Sequence, residues 1–220
     1  DGDAAVTVSA DGATFVVMTP VPLLTRDRGA TWTALSALPM WAHVVADRVD
    51  PKRFYAADFV KGAIWASGDG GASFAMLDTT GLSVDPHADW PTWREAQWPL
   101  MATPGITGDL WFRTGAGRLL HSADGGKSFR EIVTYMNIEA LSFGKAPAGS
   151  TYPALFSFGW KGQTRGVWRS DDIGRNWTRI NDDAHQYGRR FRSISGDPRI
   201  FGRVYLGTDG RGLFYGDPVR

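Results

Sequence analysis

Short apolar runs alternate with clusters of Gly, Asp, Ser and Thr along the whole chain. The runs 63–66 and 166–169 precede such clusters, and the runs 74–77 and 177–180 follow them. Strand-length apolar runs bounded by turn-forming residues predict β-hairpins. The pattern therefore predicts a nearly all-β protein. The segment 93–98 is a candidate for no more than one short helical turn, because Pro91 and Pro99 bracket it and proline interrupts helices.

Four of these clusters share the pattern Ser/Thr-x-Asp-x-Gly-x-Ser/Thr/Asn-Trp/Phe. They occupy 25–32, 67–74, 122–129 and 170–177. Their spacing is close to the period of about 40–50 residues that separates propeller blades. In each copy the Asp can accept hydrogen bonds from turn N–H groups, and the Gly permits a positive φ. The segments 9–15 and 208–212 are interpreted as degenerate copies. The shared aspartates are Asp27, Asp69, Asp124 and Asp172.

This turn pattern is the Asp box, and it predicts an all-β fold, a β-propeller with Asp-box repeats. At roughly 45 residues per blade, the chain holds about five blades. The four aspartates are interpreted as structural, rather than as catalytic groups or calcium ligands. The aromatic residue of each box, such as Trp32 or Trp177, is expected to fill the space between neighbouring sheets. Trp65, Trp111 and Trp168 lie in strand-like runs and are expected in the core.

Composition narrows the function further. The formal net charge of +1 argues against a nucleic-acid-binding protein. The chain has no cysteine, and its four histidines show no ligand spacing, so neither a metal site nor a cofactor is predicted. The apolar runs are too short to span a bilayer.

Five segments resemble, in order, the C-terminal propeller of the glycoside hydrolase family 74 xyloglucanases. They are 8–14 followed by 25–32 and 38–39; 46–55; 104–111; 141–144 leading to 152–155; and the terminal run of 179–188, 195–199 and 202–212, which is the most specific. The resemblance implies two seven-bladed propellers that enclose a cleft, in a secreted or periplasmic enzyme. It also implies inverting hydrolysis of the β-1,4-glucan backbone of xyloglucan by one aspartate from each propeller. This chain would then form one wall of the substrate cleft.

The sequence departs from the family at the catalytic residues. The general acid of the family lies in a Gly-Asp-x-x-Gly-Phe-like stretch, which is not found here. Gly108-Asp109 and Gly196-Asp197 match other, non-catalytic segments. We therefore expect 1–220 to be part of the C-terminal propeller, about five of seven blades. The N-terminal propeller, the start of the C-terminal propeller and both catalytic aspartates would lie outside the chain. The segment alone is expected to be inactive.

Three groups of residues are candidates for substrate binding. Loops often carry function, and the segment 87–98 in the widest gap between boxes contains three tryptophans; alternatively, these side chains pack the loop onto the propeller. Trp160 is expected at the tip of an exposed turn, or else buried in a blade. A polar cluster that includes Asp182 and Asp183 either lines the cleft or orders a loop. The predicted substrate-binding residues are Trp90, Trp93, Trp98, Trp160, His185 and Tyr187.

Two other classes of Asp-box propeller remain to be distinguished. A non-catalytic propeller that binds glycan or protein fits the same fold, because the boxes carry no chemistry. A sialidase is disfavoured, since no sialidase-type arginine motif precedes the first box. The release of reducing sugar from xyloglucan separates a hydrolase from a binding protein.

Overall fold

A computed structural model describes residues 5–58, 61–82, 100–114, 117–133, 135–186 and 191–218. These residues form five antiparallel sheets, each built from strands that follow one another along the chain. The strands are, sheet by sheet, β1 (Ala5–Val8), β2 (Phe15–Met18), β3 (Leu23–Thr25) and β4 (Thr33–Ala34); β5 (His43–Ala46), β6 (Phe54–Asp58), β7 (Ala63–Ser67) and β8 (Ala75–Met76); β9 (Leu100–Ala102), β10 (Leu110–Arg113), β11 (Leu119–Ser122) and β12 (Arg130–Val133); β13 (Met136–Gly144), β14 (Ala154–Lys161), β15 (Thr164–Ser170) and β16 (Thr178–Arg179); β17 (Phe191–Gly196), β18 (Val204–Thr208) and β19 (Leu213–Gly216).

The described residues fall into two compact units. The first consists of those in 5–82, 100–112 and 120–130, and the second of those in 113–119 and 131–218. In the first unit, Val16, Leu24, Val44 and Phe54 form one apolar cluster, and a second cluster surrounds Leu110. In the second unit a cluster forms around the fully buried side chain of Phe156. Burial on both faces explains why three consecutive residues of β10, Leu110 to Phe112, are apolar rather than alternating with polar ones.

Each sheet has two ends at which its strands turn, and the strand order makes these ends different. We use the word edge for these two ends and not for the outermost strands. Successive strands are antiparallel, so in the four-stranded sheets the turn between the first and second strands and the turn between the third and fourth lie at the same edge. The Asp boxes join the third and fourth strands, and we call this the box edge. The opposite edge carries the turn between the second and third strands and the connector to the next sheet, and we call it the connector edge.

The five sheets confirm the all-β fold and the number of blades that the sequence predicted. Two expectations are wrong. The segment 9–15 joins β1 to β2, and 208–212 joins β18 to β19, whereas the four Asp boxes join a third strand to a fourth. Neither is therefore a copy of the box. The predicted helical turn at 93–98 lies outside the described residues. In the described part of the chain, no helix has the length and apolar character needed to cross a membrane.

Candidate functional site

The four Asp-box turns share one set of hydrogen bonds. In the second sheet, Oδ1 of Asp69 accepts from the Ser73 N–H at 3.0 Å, and Oδ2 accepts from the Ser73 hydroxyl at 2.6 Å. The Ser67 hydroxyl donates to Asp69 Oδ1 and accepts from the Gly71 N–H. The same pattern recurs around Asp27, Asp124 and Asp172.

These hydrogen bonds stabilise the charged form of the box aspartates. The Thr31 hydroxyl, followed by the Thr31 N–H and the Thr25 hydroxyl, lowers the pKa of Asp27 to about 2. The pKa of Asp69 is likewise well below its usual range because of Ser73. Both carboxylate oxygens of each residue are bound to the turn, which supports a structural role.

The aromatic residues of the boxes do not all pack alike. Trp177 is buried and its indole N–H donates to the Gly174 carbonyl at 2.9 Å. Trp32 instead lies over Gly29 with 45% of its surface exposed. The expectation that every box aromatic fills the space between sheets is therefore wrong for Trp32, because its ring folds onto its own turn.

Two buried carboxylates also lie at the box edge. Asp47 accepts hydrogen bonds from the N–H groups of Val49 and Asp50 at 2.8 and 2.9 Å and from that of Gly108 at 2.8 Å. Because Gly108 precedes β10, Asp47 ties the first turn of the second sheet to the first turn of the third. Asp197 holds the first turn of the fifth sheet in a similar way, and the Arg199 N–H and the Tyr205 hydroxyl lower its pKa to about 2.

Thr103, Asp109 and His121 form a second buried polar group at this edge. The Thr103 hydroxyl donates to Asp109, and Nε2 of His121 lies 2.8 Å from the other Asp109 oxygen. The His121 ring also packs on Trp111, with 4.4 Å between ring centroids. In a nucleophile–base pair the His contacts the hydroxyl, but here both residues contact the carboxylate. This geometry indicates a structural role for the group.

The connector edge of the fourth sheet presents a partly exposed tryptophan beside an arginine. Trp160 pairs with Asn137 on one side and Arg165 on the other, which places the three residues in one cross-strand row. The Arg165 guanidinium lies 5.7 Å from the centre of the Trp160 ring. Trp160 is 41% exposed and lies within β14. The alternative of a buried tryptophan is therefore wrong, and so is its expected place at the tip of a turn.

A β-bulge next to this row presents Glu139. The pairing of β13 with β14 shifts between Ile138 and Ala140, which leaves Glu139 as the extra residue. Glu139 Oε2 lies 2.7 Å from a terminal nitrogen of Arg165. Bulges commonly re-aim a side chain beside functional sites. We call Trp160, Arg165 and Glu139 the Trp160 group. Sequence reasoning missed Arg165 and Glu139, because their pairing depends on strand register.

A buried arginine lies in the field of the same glutamate. Burial lowers the pKa of Arg113 to about 10, and the charge of Glu139 opposes that shift. The Trp160 group thus combines an exposed indole face, a guanidinium with several N–H donors and one carboxylate. Such a surface can bind a sugar ring. It holds one carboxylate, whereas inverting hydrolysis uses two.

The described part of the predicted polar cluster, 182–186, has contacts within its own loop. Nδ1 of His185 lies 2.6 Å from Asp182 Oδ1, and the His185 N–H donates to the same oxygen. The hydrogen bond from His185 lowers the pKa of Asp182. Asn181 donates to the His185 carbonyl at 2.9 Å and accepts from the Val167 N–H at 2.8 Å, which joins the loop to β15. These contacts order the loop, and substrate binding by His185 stays a prediction.

The remaining predicted site residues, Trp90, Trp93, Trp98 and Tyr187, lie outside the described residues. Trp160 contacts Arg165, whereas His185 contacts Asp182 and Asn181. Within the described ranges, no group of three or more His, Asp or Glu side chains could hold a metal ion.

Comparisons with known proteins agree with this architecture. The chain is 43% identical over 225 aligned residues to a xyloglucanase of Paenibacillus sp, and 39% identical over 221 to the xyloglucanase Xgh74A of Acetivibrio thermocellus. Each match covers 99% of this chain but only 21% and 25% of the relative. The structure of the family 74 xyloglucanase from Xanthomonas campestris matches 97% of the chain, and 29% of its own length, with a TM-score of 0.83 and 37% identity. No family model matches.

The structure of YCF48 bound to D1 peptide has a TM-score of 0.60 at 14% identity over 97% of this chain and 64% of its own length, which shows the fold alone. The fold and the comparisons first identify the class of protein. The chain forms five blades of a β-propeller of the kind found in glycoside hydrolases. Within that class, the chain is a relative of the glycoside hydrolase family 74 xyloglucanases, and the resemblance inferred from the sequence is confirmed. The chain spans about a fifth to a quarter of the length of these curated relatives.

Proposed function

We propose that this chain is part of a secreted glycoside hydrolase that cleaves β-1,4-glucan backbone bonds of xyloglucan with inversion. In this proposal the segment contributes one wall of the substrate cleft. The observation that carries it is the 43% identity to a xyloglucanase over 99% of the chain. Other Asp-box propellers share the turns, but identity at this level extends through the segments between them.

The Trp160 group supports the part of the proposal that concerns substrate. A pyranose ring has an apolar C–H face that packs on an indole, and its hydroxyls accept from a guanidinium. The pair between Glu139 and Arg165 holds that guanidinium 5.7 Å from the centre of the Trp160 ring. This arrangement suits a neutral sugar better than an anion, since the Glu139 carboxylate partly neutralises Arg165.

Hydrolysis with inversion needs an acid and a base on opposite sides of the bond, with room between them for a water molecule. We propose that chain outside this segment supplies both aspartates. The test is the release of reducing ends from xyloglucan by a longer polypeptide that contains this chain. Inversion at a β-linkage gives a product that is initially the α-anomer, which proton NMR detects. Initial release of the β-anomer contradicts the inverting mechanism.

A non-catalytic propeller that binds glycan or protein is the second candidate, favoured by an exposed aromatic surface in a segment whose Asp boxes are structural. Xyloglucan binding by the chain, together with no release of reducing ends by the longer polypeptide, would support this alternative. Activity of the 220-residue chain alone would contradict the expectation that both catalytic aspartates lie elsewhere.

A further inference from the structure

Trp41 has an unusual backbone conformation. In the described part of the chain, the non-glycine residues with positive φ are Arg28 (58°), Trp41 (64°) and Ile173 (60°). Arg28 and Ile173 occupy the box position that Gly70 and Gly125 fill in two other boxes, with φ of 73° and 74°. The box turn therefore accounts for both. Trp41 lies in no box, and a bulky residue at positive φ persists only where its surroundings fix it, often at ligand sites.

The surroundings of Trp41 do fix it. Its N–H donates to the Pro20 carbonyl at 2.8 Å, and the Ala42 N–H donates to the Pro39 carbonyl at 3.2 Å. Leu38 on one side and Ala42 on the other are buried in the first apolar cluster. The two buried residues therefore anchor the chain on either side of the exposed Met40 and Trp41. A surface fixed in this way loses little conformational entropy when a ligand binds.

The exposed side chains at this point are apolar. Trp41 is 68% exposed, and Met40 and Val21 are also exposed. We call these three residues the Trp41 platform. It lies at the connector edge of the first sheet, because Val21 belongs to the turn between β2 and β3 and Trp41 to the connector that follows β4. Trp32, the other exposed tryptophan of this sheet, lies at the box edge.

The platform is also uncharged. The segments 15–25 and 33–46, which build it, contain no Asp, Glu, Lys or Arg. Their one titratable side chain is His43, and burial lowers the pKa of His43 to about 3, so it is neutral at physiological pH. The exposed hydroxyl of Ser36 is the nearest polar group along the connector. This chemistry suits a neutral ligand with a flat apolar face, and it offers no ion pair to a charged partner.

We propose that the Trp41 platform binds one sugar ring of a β-1,4-linked glucan chain, with the indole of Trp41 stacked on the C–H face of the ring. Equatorially substituted pyranoses present such a face, and an exposed tryptophan supplies a large apolar area at little entropic cost. The inference rests on the proposed function and adds to it a binding residue outside the Trp160 group. The positive φ of Trp41 is then the conformational cost of holding the indole outward.

Titration of the full 220-residue chain with xyloglucan oligosaccharides, followed by calorimetry, tests the proposal. Trp41→Ala is expected to weaken binding roughly fivefold to tenfold through the loss of stacking. Trp41→Gly is expected to weaken binding equally while it relieves the positive φ, so its melting temperature should not fall. Trp41→Phe should retain part of the affinity. Trp32→Ala, which removes an exposed tryptophan at the opposite edge of the same sheet, should leave binding unchanged.

Several results would overturn the inference. Unchanged affinity in Trp41→Gly, while the unaltered chain binds, would contradict the Trp41 platform and leave the proposed function standing. An equal loss in Trp32→Ala would contradict the choice of edge. Dimerisation that Trp41→Ala abolishes, with glycan affinity intact, would identify a second copy of the chain as the occupant. No binding by the unaltered chain would contradict the platform, whereas release of reducing ends by the longer polypeptide tests the proposed function separately.

Discussion

The box edge and the connector edge of each sheet differ in the hydrogen bonding of their turns. At the box edge, four turns repeat the same hydrogen bonds, and both oxygens of each Asp are bound within the turn. At the connector edge, the described turns differ from sheet to sheet. Trp160 and Trp41 are exposed there, one beside a β-bulge and the other at positive φ. Repeated and saturated hydrogen bonds indicate that the box turns are structural, and the exposed residues of the connector edge are those for which we propose sugar binding.

The largest expected effect tests the structural edge. Asp47→Ala leaves the N–H groups of Val49, Asp50 and Gly108 without their acceptor, and a buried unsatisfied donor such as the Gly108 N–H costs about 1–3 kcal/mol, with less for the two part-buried donors. We expect the free energy of unfolding to fall by about 2–4 kcal/mol in urea titrations. Asp50→Ala is the matched control, because Asp50 is less buried and accepts from Lys52 and Arg53. Equal losses in the two variants would contradict the role of Asp47 in joining two sheets.

The second-largest expected effect tests whether the Trp160 group binds xyloglucan. Glu139→Gln removes the charge that pairs with Arg165 and that acts on buried Arg113, so we expect a loss of about 1–2 kcal/mol in unfolding free energy. Xyloglucan affinity should also fall severalfold. Glu131→Gln is the control, because the more exposed pair of Glu131 and Arg118 at 3.0 Å should contribute about 0.5 kcal/mol. A loss of stability with unchanged affinity would assign Glu139 to structure alone.

A smaller effect of opposite sign concerns a box turn. Ile173 has φ of 60°, which is costly for a β-branched residue, while the corresponding Gly70 and Gly125 adopt the same region freely. Ile173→Gly should raise the unfolding free energy by about 1 kcal/mol, because relief of the left-handed conformation outweighs the added chain entropy. Ile173→Ala, which keeps a Cβ, should bring little gain. Thermal denaturation of both variants distinguishes the backbone effect from the loss of side-chain contacts.

The smallest effect is the pH dependence of the boxes. The folded pKa of Asp27 is about 2, below that of the unfolded chain at about 3.9. Its contribution to stability is therefore complete above about pH 4 and is lost as the pH falls through about 2. Thr31→Ala removes the hydroxyl that contributes most to this shift, so the acid transition should begin at a higher pH. Circular dichroism between these pH values would show it, and an unshifted transition would contradict the assignment.

The turns of the box edge can be predicted from the sequence, whereas the side-chain contacts at the connector edge cannot. The reason is physical. The hydrogen bonds of an Asp box span at most four residues, so a short motif specifies the whole turn. The same chemistry misled the interpretation of 9–15, where Ser9 and Asp11 make a similar contact in a turn between first and second strands. The contact between Glu139 and Arg165 spans 26 residues and depends on a bulge that shifts the register. No local pattern specifies that shift, and none specifies the positive φ of Trp41.

The central claim is that substrate binds at the connector edge and not at the box edge. Its most direct test is one titration of the isotopically labelled chain with a xyloglucan oligosaccharide, observed at the tryptophan indole N–H signals. We predict that the indole signal of Trp160 and that of Trp41 each shift as the oligosaccharide is added. The signals of Trp32 and Trp177 at the box edge should stay where they are. Shifts of Trp32 or Trp177, with Trp160 and Trp41 unmoved, would contradict the assignment of substrate binding to the connector edge.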